Sequence, residues 1–529
     1  MHTTGRPVNL HEQSGNTSWF DAPAARDGAS ARSRRNKTQG IRLSYVKRIR
    51  VMESFIMASV LRRGSREMTE QYDVIVIGAG PAGENVAGRV ANGGASCLIV
   101  EKELVGGECS YWACMPSKAL LRPGEVLRMA RRVPGARAAL TGEMDVEDVL
   151  ARRDAIISDL DDSGQVKWLD DNNIAYLRGH GRLDGKKKVI VTDSDGTETS
   201  LQARKAVVLA TGSHPAIPPI PGLREVALGS RDITTLKHPP SRLVVLGGGV
   251  VGVEMAQAWN DLGATSVTIV ERADRLLARE EPFAGQHIRK VFEEEYGIEV
   301  FTGTAVKRVR REGAEVVCAL SDGSELRSDN VLVATGRGPN TKDIGLDTVG
   351  LEPGRSIEVD DQLRATGENA DWLFAVGDAN GRSLLTHDGK YQGRICGDVI
   401  LGKKTKAWGD RTASPRVIFT DPQVAAVGLT AATARERGLN VRAVDYGFGA
   451  VAGSTVTGQG IDGTCRWVVD VDTGTLVGAT FLGPGAGEML HAATIAVAGR
   501  VPVDVLWHAT PAFPTISEVW LRFLEEYGC

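Results

Sequence analysis

The feature that most constrains this chain is a strand, a glycine turn and a helix that follow one another twice along the sequence. The first copy opens with an unbroken apolar run at residues 72–77, which is typical of a strand buried in a parallel sheet. Three glycines come directly after it: Gly78, Gly80 and Gly83. The next strand, residues 97–100, ends at Glu101, about 20 residues beyond the glycines. A carboxylate there can accept hydrogen bonds from ribose hydroxyls, so this order predicts a dinucleotide-binding unit.

The second copy has the same order of elements. A strand at residues 242–246 leads into Gly247, Gly249 and Gly252, and a later strand ends at Glu271. Two copies predict two bound dinucleotides. Glu271 favours NAD(H) over NADP(H), because a carboxylate repels a 2′-phosphate. Arg272 and Arg275 follow directly and could bind that phosphate, so the alternative stays open.

Three more strands each end at a glycine, where bare backbone can approach a ligand. The first closes at Thr211 and Gly212, and its near copy closes at Gly336. The third closes at Gly377 and adds a carboxylate, Asp378. Asp378 alone would be a simple turn residue, but the repeated junction favours a role in ligand binding.

Two cysteines, Cys109 and Cys114, follow the first unit. We expect both on the first turn of one helix, where free N–H groups and the helix dipole lower the pKa of a thiol. A disulfide across so few residues removes little entropy from the unfolded chain and would stabilise the fold only weakly. The spacing therefore predicts redox chemistry, with two unrelated buried cysteines as the alternative.

Length and charge exclude several classes of protein. With 529 residues the chain is too long for one core and should form about three or four domains. A net charge of −3 argues against a nucleic-acid partner, and no apolar run reaches the roughly 18 residues of a membrane span. We predict no metal site and no membrane association.

The seven cysteines are an odd number spread thinly over the chain, which suits a reducing compartment and predicts a cytoplasmic protein. Four of them lie in apolar contexts and are predicted to be packing residues: Cys97, Cys318, Cys396 and Cys465. The last residue, Cys529, is predicted to be an exposed thiol without a role, with a shuttle to a partner's site as the alternative.

The ends of the chain differ from its middle. Residues 1–70 are basic and carry no periodic pattern, which predicts a mostly disordered leader. A transit peptide and a translation start at Met68 are the alternatives. Further on, residues 174–177 through 189–191 predict a small antiparallel sheet, and the region after Arg411 predicts an α+β unit.

The stretch GGECSYWACMPSK at residues 106–118, set between two nucleotide units, resembles the pyridine nucleotide-disulfide oxidoreductases. These flavoenzymes include lipoamide dehydrogenase, glutathione reductase and mercuric reductase. The resemblance runs from about Tyr72 to the C-terminus. It implies an α/β fold with two Rossmann-like domains, one for FAD and one for NAD(P), and a C-terminal α+β dimerisation domain that forms a homodimer.

The resemblance also implies domain boundaries: a leader at 1–70, an FAD-binding domain at 71–225 and 346–410, an NAD(P)-binding domain at 226–345, and a dimerisation domain at 411–529. It implies that Cys109 meets the substrate, while Cys114 faces the flavin as a thiolate. Lys118 would stand near the flavin, paired with Glu254. The other FAD positions would be Gly78, Gly80, Gly83, Glu101, Gly181 and Asp378, and the nicotinamide nucleotide positions would be Gly247, Gly249, Gly252, Glu271 and Gly336.

One position departs from the family pattern. The family's base is a histidine of the other subunit, in the sequence His-Pro-Thr-x-x-Glu, and here Phe513 occupies it while Glu518 remains. Phenylalanine cannot carry a proton. His508 is the nearest candidate replacement, and a loop or helix-cap histidine is the plainer interpretation of it.

Three functions are consistent with these residues. The first is an FAD-dependent NAD(P)H oxidoreductase, similar to dihydrolipoyl dehydrogenase, that passes electrons through Cys109 and Cys114 to a disulfide or another small acceptor. Phe513 motivates the second, a quinone or metal-ion reductase of the mercuric type that needs no base. The third, from another class, is a flavin-binding partner protein of low activity, against which the complete cysteine motif argues.

Overall fold

The computed structural model describes residues 70–369 and 371–529. The chain divides into two units, Met1–Met68 and Thr69–Cys529, and the second contains all of the described residues. The predicted leader at residues 1–70 lies outside the described residues, apart from Glu70.

The strands fall into parallel and antiparallel groups along the chain. In chain order they are β1 (Glu70–Ile77), β2 (Cys97–Glu101), β3 (Ala175–Arg178), β4 (His180–Leu183), β5 (Lys188–Thr192), β6 (Glu198–Leu209), β7 (Ser213–Pro215), β8 (Ala227–Leu228), β9 (Arg242–Leu246), β10 (Ser266–Val270), β11 (Glu299–Phe301), β12 (Val306–Glu312), β13 (Glu315–Leu320), β14 (Glu325–Ser328), β15 (Asn330–Val333), β16 (Arg337–Pro339), β17 (Leu373–Ala375), β18 (Pro415–Ile418), β19 (Gln423–Gly428), β20 (Val441–Gly447), β21 (Thr464–Asp470) and β22 (Thr475–Gly483).

The α-helices connect and cover these strands. In chain order they are α1 (Pro81–Asn92), α2 (Gly107–Tyr111), α3 (Cys114–Arg131), α4 (Pro134–Ala138), α5 (Val146–Ile156), α6 (Ser163–Asp171), α7 (Ser230–Thr234), α8 (Val250–Asp261), α9 (Pro282–Val291), α10 (Thr386–Ile400), α11 (Gly409–Thr412), α12 (Ala431–Glu436), α13 (Ala452–Thr457), α14 (Ala486–Ala498), α15 (Val503–Leu506) and α16 (Val519–Tyr527).

The first glycine unit lies in a mixed sheet of strand order β3-β2-β1-β6-β5-β4, with β17 added beside β6. Strands β3, β2, β1, β6 and β17 run parallel, while β5 and β4 are antiparallel to their neighbours. Along β1, Val74 and Val76 pack into one core, and Ile75 and Ile77 into another on the opposite face. Both faces of β1 are therefore buried, which explains its unbroken apolar sequence.

One sequence prediction about this sheet is wrong. The strand predicted at residues 174–177 to begin a small antiparallel sheet is β3, which pairs in parallel with β2, so that Leu98 lies opposite Ala175. Only β4, β5 and the first half of β6 form the antiparallel part. The pairing partner of a four-residue strand depends on distant segments, so its own sequence does not reveal it.

The second glycine unit forms a separate, fully parallel sheet of order β11-β10-β9-β15-β8. An antiparallel sheet of β12, β13 and β14 lies beside it in the chain. The C-terminal region is an antiparallel sheet of order β18-β19-β22-β21-β20. Its core is aromatic, with the ring of Trp467 stacked on that of Phe523 at 4.7 Å between centroids. The fold class is α/β, with a C-terminal α+β region, as predicted.

A buried ion network fixes helix α3 to the rest of the molecule. The Arg128 guanidinium donates to both carboxylate oxygens of Asp261 at the end of α8, at 2.7 and 2.8 Å, and to Asp421 between β18 and β19 at 2.7 Å. Arg132 also donates to Asp421, at 3.0 Å. The side chains of Arg128 and Asp421 are 13% and 3% exposed. Because α3 begins at Cys114, this network ties the cysteine helix to the second nucleotide unit and to the C-terminal sheet.

We expect Arg128→Met to destabilise the protein strongly, because it leaves the carboxylates of Asp261 and Asp421 buried without their main cation. Removing one partner of a buried ion pair costs about 3–5 kcal/mol. The matched control is Arg122→Met on the same helix, whose Arg122 side chain is 52% exposed in its pair with Glu125. Such surface pairs contribute about 0–1 kcal/mol. Thermal unfolding of both variants measures the difference, and equal Tm values would contradict the role of the network.

Candidate functional site

The carboxyl ends of the first sheet open onto one large cavity. The space between its walls is about 1150 Å³, the open solvent at its mouth included. Predicted site residues on its wall are Gly78, Gly80, Glu101, Cys109, Gly181, Thr211, Gly212 and Asp378. The structure thus brings one cysteine and most of the positions predicted for FAD to a single place.

The glycine turn after β1 is shaped by two close contacts and one open position. At Gly78, whose φ is +103°, an added Cβ would lie 2.3 Å from the carbonyl oxygen of Ala210. At Gly83, an added Cβ would lie 2.0 Å from the carbonyl oxygen of Gly78. At Gly80 nothing lies within 4 Å of such an atom. Gly80 begins α1 without a side-chain cap, so the free N–H groups of the first turn can bind an anion in the cavity.

Glu101 is held at the end of β2 by backbone donors. Its two carboxylate oxygens accept hydrogen bonds from the N–H of Ala79 and of Glu103, both at 2.8 Å. Gly181 lies opposite, where a Cβ would meet Val100 at 3.1 Å and Ile77 at 3.2 Å. The carboxylate is therefore fixed at the rim of the glycine turn.

The far wall joins the two nucleotide units. The Ser213 hydroxyl donates a short hydrogen bond to the Asp378 carboxylate, and Arg337 Nε donates to Ser213 Oγ at 2.6 Å. Arg337 follows Gly336 directly, so the last strand of the second unit ends at this wall. The Thr211 hydroxyl is buried without a hydrogen-bond partner in the described part of the chain, and the residue Thr211 lines the same cavity.

The two cysteines lie on two consecutive helices, whereas the sequence predicted one helix for both. Cys109 is in α2, and Cys114 is the first residue of α3. The helical conformation is interrupted between α2 and α3, because Ala113 has φ −129° and ψ −89°, outside the helical region. Both are free thiols, and Cys114 Sγ lies 3.3 Å from the hydroxyl of Thr386, the first residue of α10.

The thiols differ in acidity. A hydrogen bond from Cys109 lowers the pKa of Cys114 to about 6, with further help from Thr386 and the charge of Lys118, and against the effect of burial. The same hydrogen bond, together with burial, raises the pKa of Cys109. At neutral pH the reduced pair therefore holds its proton on Cys109 and a thiolate on Cys114.

Lys118 and Glu254 form a pair one turn after Cys114. Lys118 Nζ lies 2.7 Å from Glu254 Oε2, and the Glu254 side chain is only 3% exposed. Glu254 Oε1 accepts a hydrogen bond from the backbone N–H of Phe419 at 2.9 Å, and Lys118 Nζ lies 4.9 Å from the centre of the Phe419 ring. The pair thus connects α3, α8 and the C-terminal sheet.

The second glycine turn repeats the geometry of the first. A Cβ at Gly247 would lie 2.5 Å from the carbonyl oxygen of Ala334, and one at Gly252 would lie 1.9 Å from that of Gly247, while Gly249 faces open space. The carboxylate of Glu271 accepts hydrogen bonds from Gly248 at 2.5 Å and Ala273 at 2.6 Å. Gly336, whose φ is +133°, also has open space at its Cβ position.

The C-terminal candidates lie apart from the cavity wall. Phe513 is 74% exposed, and His508 is also exposed. Glu518 is buried, and it accepts hydrogen bonds from the N–H of Ala452 at 3.2 Å and from Arg522 at 2.5 Å. Within the described residues of one chain, Glu518 therefore ties α16 to α13.

Sequence reasoning missed a cluster at the mouth of the cavity. The Arg231 guanidinium lies 4.1 Å from the centre of the Trp112 ring, and it donates to Glu108 at 2.6 Å and to Glu103 at 2.8 Å. It also missed Thr386, the partner of Cys114. These contacts join residues more than a hundred positions apart, and no local pattern marks them.

Comparisons with known proteins agree with this geometry. A family model described as pyridine nucleotide-disulphide oxidoreductase matches residues 72–393, and the model of that family's dimerisation domain matches residues 414–522. Mercuric reductase from Staphylococcus aureus is 31% identical over 454 residues, which cover 84% of this chain and 81% of that protein. Dihydrolipoyl dehydrogenase from Chlamydia muridarum is 30% identical over 459 residues, which cover 86% and 96%.

A similar solved structure is that of the HOCl-induced flavoprotein disulfide reductase RclA from Escherichia coli. It is 26% identical to this chain with a TM-score of 0.74, and the match covers 86% of this chain and 99% of that one. Sequence and structure comparisons thus select the same group of proteins over the same part of the chain.

We expect the Cys114 thiol to titrate near pH 6 in the reduced protein, remaining a thiolate above that pH and becoming protonated below it. Lys118→Met and Thr386→Val should each move this pKa upward, because each removes a group that favours the thiolate. Lys118→Arg keeps the charge and is the matched control. The ¹³Cβ chemical shift of labelled cysteine, assigned with Cys114→Ser, reports the titration. A pKa near 8.5, the value of a free thiol, would contradict this description.

Proposed function

We infer the reaction of this chain from the premise that it belongs to the pyridine nucleotide-disulphide oxidoreductase family and is an FAD-dependent oxidoreductase. The proposal is that NAD(P)H supplies electrons that leave the protein through Cys109 and Cys114 to a small disulfide acceptor, as in a dihydrolipoyl dehydrogenase-like reaction. The observation that carries it is a pair of neighbouring thiols of unequal acidity, with Cys109 on the wall of the cavity and Cys114 in contact with Thr386, which lines the same cavity.

The residues around the first cavity fit FAD. The open Cβ position at Gly80 and the uncapped start of α1 offer bare N–H groups to a pyrophosphate, and the unpartnered Thr211 hydroxyl offers a buried polar contact. We propose that Glu101 binds the adenosine ribose and Asp378 the ribityl chain, with Gly78 and Gly83 shaping the turn against the pyrophosphate and Gly181 and Gly212 on the wall beside FAD. FAD, when bound, accepts a hydride from a nicotinamide nucleotide and passes on two electrons.

The residues of the pair have distinct proposed roles. Cys109, which lines the cavity, attacks the acceptor, and Cys114 holds the thiolate that later re-forms the disulfide. The Lys118 ammonium stabilises that thiolate, and Glu254 fixes the ammonium in place. The arrangement keeps one nucleophile protected while the other meets the acceptor.

We propose that the second glycine turn binds NAD(H) in preference to NADP(H), with Gly247, Gly249, Gly252 and Gly336 against the nucleotide. The Glu271 carboxylate at its rim would repel a 2′-phosphate. Arg275 already donates to the carbonyl oxygens of Ala278 at 2.7 Å and Glu280 at 3.1 Å, so it is committed to the loop. Of the two arginines predicted as ligands of a 2′-phosphate, only Arg272, which is exposed, therefore remains.

Substitution of Glu271 tests this preference. We expect Glu271→Gln to lower the ratio of kcat/KM for NADH to that for NADPH by about tenfold, which corresponds to ~1.4 kcal/mol. The control is Asp274→Asn, an exposed carboxylate of the same loop, which should leave the ratio unchanged. Equal ratios in Glu271→Gln and wild type would contradict the role given to Glu271.

The chain carries a dimerisation domain, and we propose that it forms a homodimer. Large apolar side chains are exposed in this region: Val456, Ile495, Val505, Trp507 and Phe513. Such side chains are typical of a surface that a second copy covers.

None of the helices in residues 70–369 and 371–529 has the length and hydropathy needed to cross a membrane. We place the protein in the cytoplasm because of its sparse, free cysteines.

A second candidate function rests on Phe513. Without a base at this position, an acceptor that can be reduced without a base supplied by the protein is favoured, such as a quinone, whose protons can come from water, or a metal ion. A mercuric reductase is among the relatives, and a Cu(II) complex of RclA is among the similar structures. Here the electrons would leave without the help of acid–base chemistry.

A screen of acceptors separates the two functions. Purified holoenzyme with NADH should reduce at least one of lipoamide or glutathione disulfide, and both Cys109→Ser and Cys114→Ser should lose that activity by about 10²-fold or more. Cys97→Ser, a buried thiol outside the pair, is the control. Turnover of menadione or Hg²⁺ alone, with no disulfide reduced, would favour the second function. Disulfide turnover that survives both pair substitutions would contradict the first.

A further inference from the structure

The short helix α7 contacts the cysteine segment, residues 108–114, on both sides of Cys109. Before Cys109, the Arg231 guanidinium donates to the Glu108 carboxylate at 2.6 Å. After it, the same guanidinium lies 4.1 Å from the centre of the Trp112 ring, and Thr234 Oγ1 donates to the backbone oxygen of Trp112 at 2.8 Å. Cys109 therefore lies between two residues that α7 holds in place.

The hydrogen bond from Thr234 replaces one that the sequence removes. In a continuous helix the carbonyl oxygen of Trp112 would accept from the backbone N–H four residues later, but residue 116 is proline and has no N–H. The Thr234 hydroxyl also lies 2.9 Å from the carbonyl oxygen of Ser230 in its own helix, so Trp112 is the nearer acceptor. This bond fixes the backbone just before the interruption at Ala113.

Helix α7 is itself firmly anchored. Ile233 is fully buried and packs in the same core as Leu243 of the second parallel sheet. Arg153 of α5 is also fully buried, and its guanidinium donates to the carbonyl oxygens of Thr234 at 2.7 Å and Leu236 at 3.0 Å. The cysteine segment is thus held by an element whose own position is set from two further directions.

The contacts of Arg231 define one orientation of its guanidinium. It donates to Glu103 at 2.8 Å as well as to Glu108, and it stacks on Trp112. The Arg231 side chain is 40% exposed, and ion pairs of such side chains stabilise a fold only weakly. The value of this cluster therefore lies in the geometry that it imposes on residues 108–112.

We propose that Arg231 and Thr234 are positioning residues for the redox pair, which hold the cysteine segment so that the sulfurs of Cys109 and Cys114 meet when the internal disulfide closes. They act through Glu108 and Trp112. The inference rests on the proposed function, in which Cys109 attacks a disulfide.

The closing step explains why position matters. The Cys114 thiolate attacks the Cys109 sulfur of the mixed disulfide that Cys109 has formed with the acceptor. The bond between Cys109 and Cys114 forms, the bond between Cys109 and the acceptor breaks, and the released thiolate takes a proton from water. Over both steps the two cysteine sulfurs lose two electrons and the two acceptor sulfurs gain them. Cys114 is held by Thr386, at 3.3 Å from its Sγ, and α7 holds the opposite side.

The test follows the two steps separately, with 5,5′-dithiobis(2-nitrobenzoate) and holoenzyme that has been reduced with dithiothreitol and freed of it. All proteins carry Cys529→Ser, which removes an exposed thiol. Attack by Cys109 releases one 2-nitro-5-thiobenzoate in a second-order step, and closure by Cys114 releases another in a first-order step. We expect Thr234→Val and Arg231→Met each to slow the second release by about tenfold and to change the first by less than about twofold, because a displacement of ~1 Å costs about 10²-fold.

The matched control is Thr235→Val. It removes the neighbouring hydroxyl, which lies 2.7 Å from the carbonyl oxygen of Arg231 and 3.4 Å from that of Asp232, both in α7 itself. Thr235→Val should leave the second release unchanged, and Thr234→Ser, which keeps the hydroxyl, should have nearly the wild-type rate. Equal slowing by Thr234→Val and Thr235→Val would overturn the proposal, as would an unchanged second release in Thr234→Val and Arg231→Met. A first release that persists in Cys109→Ser would count against the proposed function itself.

A second measurement separates positioning from a loss of stability. The reduction potential of the cysteine pair, read by equilibration of the holoenzyme with mixtures of reduced and oxidised dithiothreitol, should rise by about 30 mV in Thr234→Val, which is a tenfold weaker closure for two electrons. Thr234→Ser should restore the wild-type potential. A lower Tm with an unchanged potential would show a merely structural role and overturn the proposal.

Discussion

The contact on which this structure depends is that between the glycine turn and the helix after it. At Gly83 and again at Gly252, the helix backbone lies so near the carbonyl oxygen of the first glycine that a Cβ would stand at 2.0 and 1.9 Å. These contacts pull each helix start against the end of its strand, while Gly80 and Gly249 are left facing open space. Two helix starts with open space before them result, each with a carboxylate fixed at its rim by backbone N–H groups, and such helix ends suit an anion.

The cysteines gain their chemistry from elements that are distant in sequence. Cys114 opens α3, and its thiolate is favoured by Cys109, by Thr386 of α10 and by Lys118. Lys118 is in turn held by Glu254 of the second nucleotide unit. Further along α3, Arg128 binds Asp261 and Asp421. The position and acidity of the cysteine pair are therefore set by residues around three different sheets, and a change in the packing of any one of these sheets should alter the environment of Cys114.

The elements that could be predicted are those that a local sequence pattern marks. Unbroken apolar runs, glycine spacing and a following acid indicated both nucleotide units, and their residues gather as the pattern suggested. The break between the two helices at Ala113 could not be predicted, because no Gly or Pro stands at that position in the sequence. The parallel pairing of β3 with β2, the stacking of Arg231 on Trp112, and the contact of Thr386 with Cys114 all join distant segments. Such contacts require the folded chain.

We propose that the Cys114 thiolate lies against the bound FAD, the position that the family resemblance implies for it. Anaerobic titration of the holoenzyme with NADH, followed by absorbance, tests it most directly. We expect a long-wavelength band from a thiolate beside oxidised flavin, present in wild type and in Cys109→Ser, absent in Cys114→Ser, and lost as the pH falls through about 6. A wild-type enzyme without this band, or a band that survives in Cys114→Ser, would contradict it.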